Sequence, residues 1–265
     1  MILKILLVAF ILILFQVYFE TNFPKLAVIS IKTNKFKNKG KVKVLQITDY
    51  HNFKYNNRVL KLVKEDMPDL IVITGDLIDK RTKDYANVYN FLENLYSLNE
   101  NIFYVPGNHE RNSKSISSLL EGISKRNIRV LLNSSCTKSF KEYQLNICGI
   151  DYSLNQLGDL NKTLQGIDCG HFTILLSHKP DVVIDHKNIG CDLILCGHTH
   201  GGQIRFPFMG AAIAPDQGFL PKFNKGIYKL EKNTVLYVDS GVGTTRLPIR
   251  FMNRSQVSLI EIESN

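Results

Sequence analysis

Five short apolar runs, each ending in residues that bind hard cations, constrain this chain more than any other feature. The runs are Val42–Thr48, Leu70–Thr74, Ile102–Val105, Phe172–Leu176 and Leu193–Cys196. They lead in order into Asp49-Tyr50-His51, Gly75-Asp76, Gly107-Asn108-His109-Glu110, Ser177-His178 and Gly197-His198-Thr199-His200. Runs of this length and composition read as β-strands. Polar residues just past strand ends project into one crevice, where open α/β sheets place their sites. Taken singly, Asp49-Tyr50-His51 and Gly107-Asn108-His109 read as ordinary turn chemistry, since Asn, Asp and Gly favour turns, whereas Gly197-His198-Thr199-His200 at a strand end reads as ligands by itself. Their joint occurrence is not turn chemistry.

Helical spacing fills the gaps between the early strands. Lys25–Thr33 reads as a first strand, and Arg58–Met67 as a helix (Val59, Leu62, Val63) that stops at Pro68. Tyr85–Leu98 carries Val88, Phe91, Leu92 and Leu95 on one face, and a third helix runs from Ser113 to Arg126, opening on serines suited to capping. Strand and helix therefore alternate to about residue 130, the pattern of a largely parallel sheet. Beyond it the alternation loosens into short strands near Val130–Leu132, Leu145–Ile150, Gly226–Leu230, Thr234–Val238 and Gln256–Ile262. The expected fold is α/β: two sheets packed face to face with helices outside. Gly201–Lys225 reads as a loop walling the site.

A chain of 265 residues suits one large α/β domain or two small ones. The formal charge of +9 favours anionic partners such as phosphorylated substrates or acidic lipids. Nucleic acid is the least supported, because no basic patch interleaved with aromatics, helix-turn-helix or zinc-finger spacing occurs. Cys136, Cys148, Cys169, Cys191 and Cys196 form an odd set without CxxC spacing, which fits buried free thiols in a reducing compartment rather than a disulfide framework.

Ile5–Phe19 is uncharged, with Lys4 before it and Glu20 behind. Counted from Met1, a helix to Phe19 is about 28 Å long at 1.5 Å per residue, just enough to cross a hydrocarbon core if Lys4 snorkels. No small-x-small cleavage site follows, so residues 1–22 are expected to be an uncleaved single-span anchor and residues 23–265 the folded domain. Lys25, Lys32, Lys35, Lys37, Lys39, Lys41 and Lys43 follow the span, which by the positive-inside rule puts the domain on the cytoplasmic face.

Two divalent ions about 3.5–4 Å apart share a carboxylate, need oxygen and imidazole ligands rather than thiolates, and cleave phosphoesters by in-line displacement. The five clusters supply that set. Asp76, at a strand end between Gly75 and Leu77, is the natural bridging carboxylate. Asp49 with His51, and His198 with His200, are spaced so that both members of a pair point the same way from extended chain. Asn108 offers an amide oxygen, while His109 points the other way, towards substrate.

In this order D-x-H, G-D, G-N-H-E, S-H and G-H-T-H resemble the calcineurin-like metallophosphoesterase superfamily. Gly197–Pro207, with Ser240–Thr245 and Leu247–Arg250, resembles the membrane-associated bacterial branch typified by the YkuE and YaeI phosphoesterases, over about Pro24 to Ile262. The resemblance implies a four-layer α-β-β-α sandwich, here preceded by an N-terminal hydrophobic helix. It implies one metal on Asp49, His51, Asp76 and His200, and a second on Asp76, Asn108, His178 and His198. It makes Asp76 and His109 catalytic, His109 stabilising the transition state or protonating the leaving oxygen. Manganese is the expected metal, with iron or zinc as alternatives. Tyr50 stands where Leu is commoner, next to the pocket, and Glu110 where Asp is commoner.

Of the polar residues near these motifs, Arg205 is the first choice for substrate phosphate, with Gln203 and Arg111 beside it; Arg246 and Arg250 read as surface residues, and Asp151 is a candidate for the groove. His171 and His186 match no motif. The expected activity is hydrolysis of a phosphodiester or pyrophosphate bond by a metal-bridging hydroxide, in a lipid-linked or cell-envelope substrate; the branch includes enzymes that cleave UDP-2,3-diacylglucosamine. A phosphomonoesterase and a non-catalytic scaffold of the same fold are the competing functions. The scaffold is disfavoured because such proteins lose ligands, and here none is missing.

Overall fold

The computed structural model describes residues 1–265 apart from 152–155, 186–188, 209, 212, 215–217, 220 and 246. Elements run α1 Ile2–Asn22, β1 Lys25–Thr33, β2 Lys41–Ile47, α2 Asn56–Asp66, β3 Leu70–Thr74, α3 Ala86–Leu98, β4 Ile102–Val105, α4 Asn108–Arg111, α5 Ile116–Ser124 and β5 Arg129–Val130. They continue with β6 Ser134–Phe140, β7 Tyr143–Gly149, α6 Gln156–Leu164, β8 Phe172–Leu176, α7 Val182–Asp185 and β9 Leu193–Cys196. The two-residue strands β10 Arg205–Phe206, β11 Gly210–Ala211, β12 Ile213–Ala214 and β13 Gly218–Phe219 precede β14 Gly226–Lys229, β15 Val235–Val238 and β16 Gln256–Ser264.

Two six-stranded sheets result, ordered β1-β16-β2-β3-β4-β5 and β14-β15-β9-β8-β7-β6. β2, β3, β4 and β5 are parallel in the first, and β7, β8, β9 and β15 in the second. Alternation along the strands sorts side chains between layers. Val42, Val44, Leu70, Val72, Phe103 and Val105 point inward to meet Leu145, Ile147, Ile174, Leu176, Leu193 and Leu195 of the second sheet. Their alternates Leu45, Ile47, Ile71, Ile73 and Tyr104 point outward onto Val59, Val63, Phe91, Leu92, Leu95 and Leu119 of α2, α3 and α5. Cys148, Leu175, Ile194 and Cys196 cover the far face with Leu160 and Val182. The layers are therefore α-β-β-α, as expected.

Parallel strands end on the same side, so the loops after β2, β3 and β4 emerge together, facing those after β8 and β9. Buried Gln46 locks the two sheets there, its Nε2 donating to the Thr74 hydroxyl at 2.9 Å and to the Cys196 carbonyl at 3.0 Å.

Several elements depart from the sequence expectation. β6 escapes it because it is an edge strand whose Ser-Ser-Cys-Thr-Lys-Ser-Phe pattern is polar and half-buried or exposed up to its last residue. The one-turn α4 and α7 are too short to show periodicity, and α6 lies between expected strands. α5 is shorter than Ser113–Arg126, and its N-cap Ser115 makes no side-chain cap bond. Within Gly201–Lys225 the chain forms a 3-10 turn at His200–Gly202 and the small hairpins β10/β11 and β12/β13. All five cysteines are free thiols; Cys148, Cys191 and Cys196 are buried, Cys136 is half-buried and Cys169 exposed.

α1 stands apart from these layers. Its 18-residue apolar window has mean hydropathy 2.6 and is 0% buried. Its last turn and the following Phe23 are held to the domain: Arg254 lies over the Phe19 ring and donates to the Phe23 carbonyl, and Arg58 lies over the Phe23 ring and donates to the Asn22 carbonyl. Of the lysines that follow, Lys25, Lys32, Lys41 and Lys43 belong to β1 and β2.

Candidate metal centre

The ligand loops are braced by one another. Asp49 N–H donates to the Gly75 carbonyl at 3.1 Å, His51 N–H to the Asp76 carbonyl at 2.9 Å, and Gly197 N–H to the His178 carbonyl at 3.0 Å. Asp49, His51, Asp76, His198 and His200 all have positive φ, between 48° and 70°. Such a backbone costs non-glycine residues of order 1–3 kcal/mol each and persists where the surroundings over-determine it, as at functional sites. Gly197 has no alternative: a Cβ there would lie 2.0 Å from Thr48 Oγ1 and 2.4 Å from Asp49 Oδ2.

The loops bring all seven expected ligands together, six of them fully or almost fully buried and Asn108 half-buried. His51 Nε2 lies 3.3 Å from His200 Nε2, 3.9 Å from Asp49 Oδ1 and 3.7 Å from Asp76 Oδ2, and His200 Nε2 lies 3.5 Å from Asp49 Oδ1. On the other side of Asp76, His178 Nε2 lies 3.2 Å from Asp76 Oδ2, 3.0 Å from Asn108 Oδ1 and 3.1 Å from His198 Nδ1. Asp49-His51-His200 and Asp76-His178-His198 each place one ligand atom per residue within 4.8 Å of the others. Asp76 Oδ2 faces both groups.

The hydrogen bonds behind the rings fix what faces inward. His178 Nδ1 lies 2.8 Å from the Thr74 carbonyl and His51 Nδ1 lies 3.1 Å from the Ile78 carbonyl. A carbonyl only accepts, so Nδ1 carries the proton in both rings, and in the neutral ring Nε2 presents a lone pair. Buried Asp76 Oδ2 has no hydrogen-bond donor in bonding geometry. Lone pairs of carboxylate, amide and imidazole thus converge in a buried space. That donor set fits hard or borderline divalent cations, and Asp76, between the two groups, fits a bridging role.

Electrostatics follow from the crowding. Burial opposes charge on Asp76, yet His178, with His51 and His109, holds its carboxyl well below the usual range. Burial likewise opposes charge on His178, but the Asp76 carboxylate outweighs it and lifts His178 to about 9. Burial pushes the Asp49 carboxyl up to about 7, against the pull of His178, and pushes His51 down to about 4, against the pull of Asp76. His200 falls well below its ordinary value through burial and the neighbouring His51 and Arg250.

His109 sits at the rim of this space, its Nε2 3.9 Å from Asp76 Oδ2 and its ring 4.7 Å from His51. Its Nδ1 accepts the Lys80 N–H at 3.0 Å, so the neutral ring carries its proton on Nε2, towards the ligands.

Glu110 has a part that its position in sequence did not reveal. Fully buried, its carboxylate accepts the N–H groups of Asp76 at 2.9 Å, Ile78 at 3.0 Å and Gly107 at 2.7 Å. It thereby ties the Asp76 loop to the Asn108 loop. Burial and the neighbouring Asp76 carboxylate push it up to about 7. Its place directly after Gly107-Asn108-His109 was the only signal. The Ser240–Gly243 loop backs the first cluster, with Val242 N–H on the Thr48 carbonyl at 3.0 Å and Gly243 N–H on the Asp49 carbonyl at 2.7 Å.

The residues named for substrate already have protein partners. Arg111 forms a two-pronged pair with Asp151, which accounts for that aspartate as well. Arg205 NH1 donates to the Gly201 carbonyl at 2.9 Å and to Asn224 Oδ1 at 2.8 Å. Gln203 Nε2 donates to the Leu247 and Ile249 carbonyls, and its Oε1 accepts the Thr245 hydroxyl. Arg250 is no surface residue: it is 0% exposed, and NH2 donates to the Ser240 and Gly243 carbonyls at 2.7 and 2.6 Å. Tyr50 does not line the pocket; it is buried in the helix layer, stacked on Phe91 with centroids 4.3 Å apart. His171 lies 3.5 Å from the Asp168 carboxylate, while His186 and Arg246 fall outside the described residues.

A family model described as calcineurin-like phosphoesterase matches residues 42–202. The uncharacterized metallophosphoesterase YkuE of Bacillus subtilis is 30% identical over 82% of this chain and 76% of its own length. The uncharacterized metallophosphoesterase Cj0846 of Campylobacter jejuni is 32% identical over 85% of this chain, a match that spans 60% of that protein's length. Among solved structures, TT1561 of Thermus thermophilus superposes with a TM-score of 0.54 at 13% identity, covering 77% of this chain and 92% of that one, a likeness of fold.

Proposed function

The chain belongs to the calcineurin-like phosphoesterase family of metal-dependent phosphoester hydrolases, and on that premise we propose that it is a membrane-anchored phosphoesterase cleaving a phosphodiester or pyrophosphate bond. The observation that carries this reading is the placing of buried Asp76 Oδ2 between two groups of ligand atoms, 3.7 Å from His51 Nε2 on one side and 3.2 Å from His178 Nε2 on the other. We assign one ion to Asp49, His51, Asp76 and His200, and the other to Asp76, Asn108, His178 and His198. Manganese suits this set of oxygen and imidazole donors. When bound, two such ions supply Lewis acidity at the phosphoryl group and lower the pKa of water.

The chain's own groups then act on the substrate. His109, with its proton on Nε2, is assigned to stabilise charge on the transferring phosphoryl group or to protonate the leaving oxygen. Arg111 and Arg205, oriented by Asp151 and Asn224, are assigned with Gln203 to the substrate side of the site. The exposed apolar α1 and the formal charge of +9 support a lipid-linked or cell-envelope substrate on an anionic bilayer surface, UDP-2,3-diacylglucosamine being one such molecule. The lysines after the span favour the cytoplasmic face.

The full chain in detergent, loaded with Mn²⁺, is to be assayed on bis(4-nitrophenyl) phosphate, 4-nitrophenyl phosphate and a nucleotide-diphosphate lipid. Cleavage of the diester or the diphosphate, silenced by a chelator, is expected. A strong preference for the monoester would establish the phosphomonoesterase instead. No turnover of any of them by the Mn²⁺-loaded chain would favour a scaffold.

A further inference from the structure

The last turn of α1 is hydrogen-bonded to residues 250–255. The Thr21 hydroxyl oxygen accepts the Arg250 N–H at 2.8 Å, and Glu20 Oε2 accepts the Asn253 N–H at 3.0 Å. The Glu20 carbonyl accepts the Ser255 N–H at 2.8 Å. Thr21 is itself fixed, its hydroxyl donating to the Val17 carbonyl at 2.6 Å.

The same segment grips the backbone of a metal ligand. Asn253, 2% exposed, donates from Nδ2 to the His200 carbonyl at 2.7 Å and to the Gln203 carbonyl at 3.4 Å, while its Oδ1 accepts Lys225 Nζ at 3.1 Å. Arg250 adds a longer bond of 3.5 Å to the His200 carbonyl. His200 has φ +51° and Gly201 φ +60°, two successive left-handed residues that need external support. A Cβ on Gly201 would lie 2.8 Å from Asn253 Oδ1, so the asparagine packs directly on the turn. One residue thus separates the Glu20 carboxylate from the His200 carbonyl.

We propose that Asn253, held by Glu20 at the end of the apolar helix, is a positioning residue for His200, so that α1 helps to build the metal centre as well as tethering the domain. This rests on the reading of Asp49, His51, Asp76 and His200 as the ligands of one ion. A partner that fixes a ligand's orientation is worth roughly 10–100-fold in metal affinity.

The test is calorimetric titration of Mn²⁺ into the full chain in detergent, comparing the unmodified protein with Asn253→Ala, Glu20→Ala and Glu20→Gln, beside their thermal midpoints. Glu20→Ala and Asn253→Ala are expected to weaken one of two Mn²⁺ sites by ~10-fold or more, leaving the other within ~2-fold. Glu20→Gln keeps an oxygen acceptor and is expected to restore most of the loss. If Asn253→Ala fails to fold, Glu20→Ala carries the comparison. Unchanged affinity at both sites would overturn the proposal, as would a parallel weakening of both with a fall in midpoint, the mark of general loosening. An unmodified chain that binds no Mn²⁺ would instead remove the metal assignment beneath it.

Discussion

The Nε2 atoms of His51 and His200, 149 residues apart in sequence, lie 3.3 Å from each other. The Ile78 carbonyl behind His51 holds that ring's proton on Nδ1, so its lone pair faces His200. A cation shared with Asp49 would satisfy both nitrogens. His200→Ala is therefore expected to reduce bound Mn²⁺ from two ions per chain towards one, measured by elemental analysis after gel filtration. Retention of two ions would remove His200 from the ligand set.

His109 should separate chemistry from metal binding. His109→Ala is expected to keep two ions per chain and to lower kcat by about 10²–10⁴, the range of a lost general acid. Steady-state kinetics with metal analysis of the same sample check this. A kcat within twofold of the unmodified chain would leave the histidine without a role.

Metal binding should rise with pH. In the metal-free chain Asp76 lifts His178 to about 9 against its burial. Below that pH a proton occupies a nitrogen the ion requires, and binding must displace it. Mn²⁺ affinity is expected to climb from pH 6 to about 9 with proton release, shown by calorimetry in two buffers of different ionisation enthalpy. A flat profile would mean that His178 is not a ligand.

Glu110→Gln replaces one of the two accepting oxygens by N–H₂, setting it against either the Ile78 N–H or the Asp76 and Gly107 N–H groups. Leaving buried donors unmatched costs about 1–3 kcal/mol each. Thermal unfolding of the metal-free chain is expected to show a lowered midpoint, and Mn²⁺ affinity should fall with it because the Asp76 and Asn108 loops come apart. An unchanged midpoint would contradict the proposed brace.

α1 is exposed along its apolar window. Replacing Leu12 by Arg puts a charge near its centre, where insertion costs about 2.5–3.5 kcal/mol. A shift of the chain from the membrane to the soluble fraction is expected; unaltered fractionation would argue against a span.

The sequence alone determined the inner strands and the ligand types, because both are local. β3, β4, β8 and β9 are almost wholly apolar runs, and Asp76, Asn108, His178 and His198 follow within three residues of their ends. The order of the clusters carried the family resemblance, and with it the layer order. Side-chain partners were not legible, since each depends on a segment far away in the chain. Arg250 looked exposed and is sealed among carbonyls; Arg111, named for substrate phosphate, is paired with Asp151; Tyr50 looked like pocket wall and stacks on Phe91. Glu110 became a brace only because β3 and β4 are parallel neighbours whose loops leave side by side. The left-handed backbone of five ligand residues is likewise invisible in their identities, since none is glycine and only packing enforces it. The contact of Glu20 and Thr21 with the segment that holds His200 joins residues more than two hundred positions apart, a juxtaposition that folding alone decides.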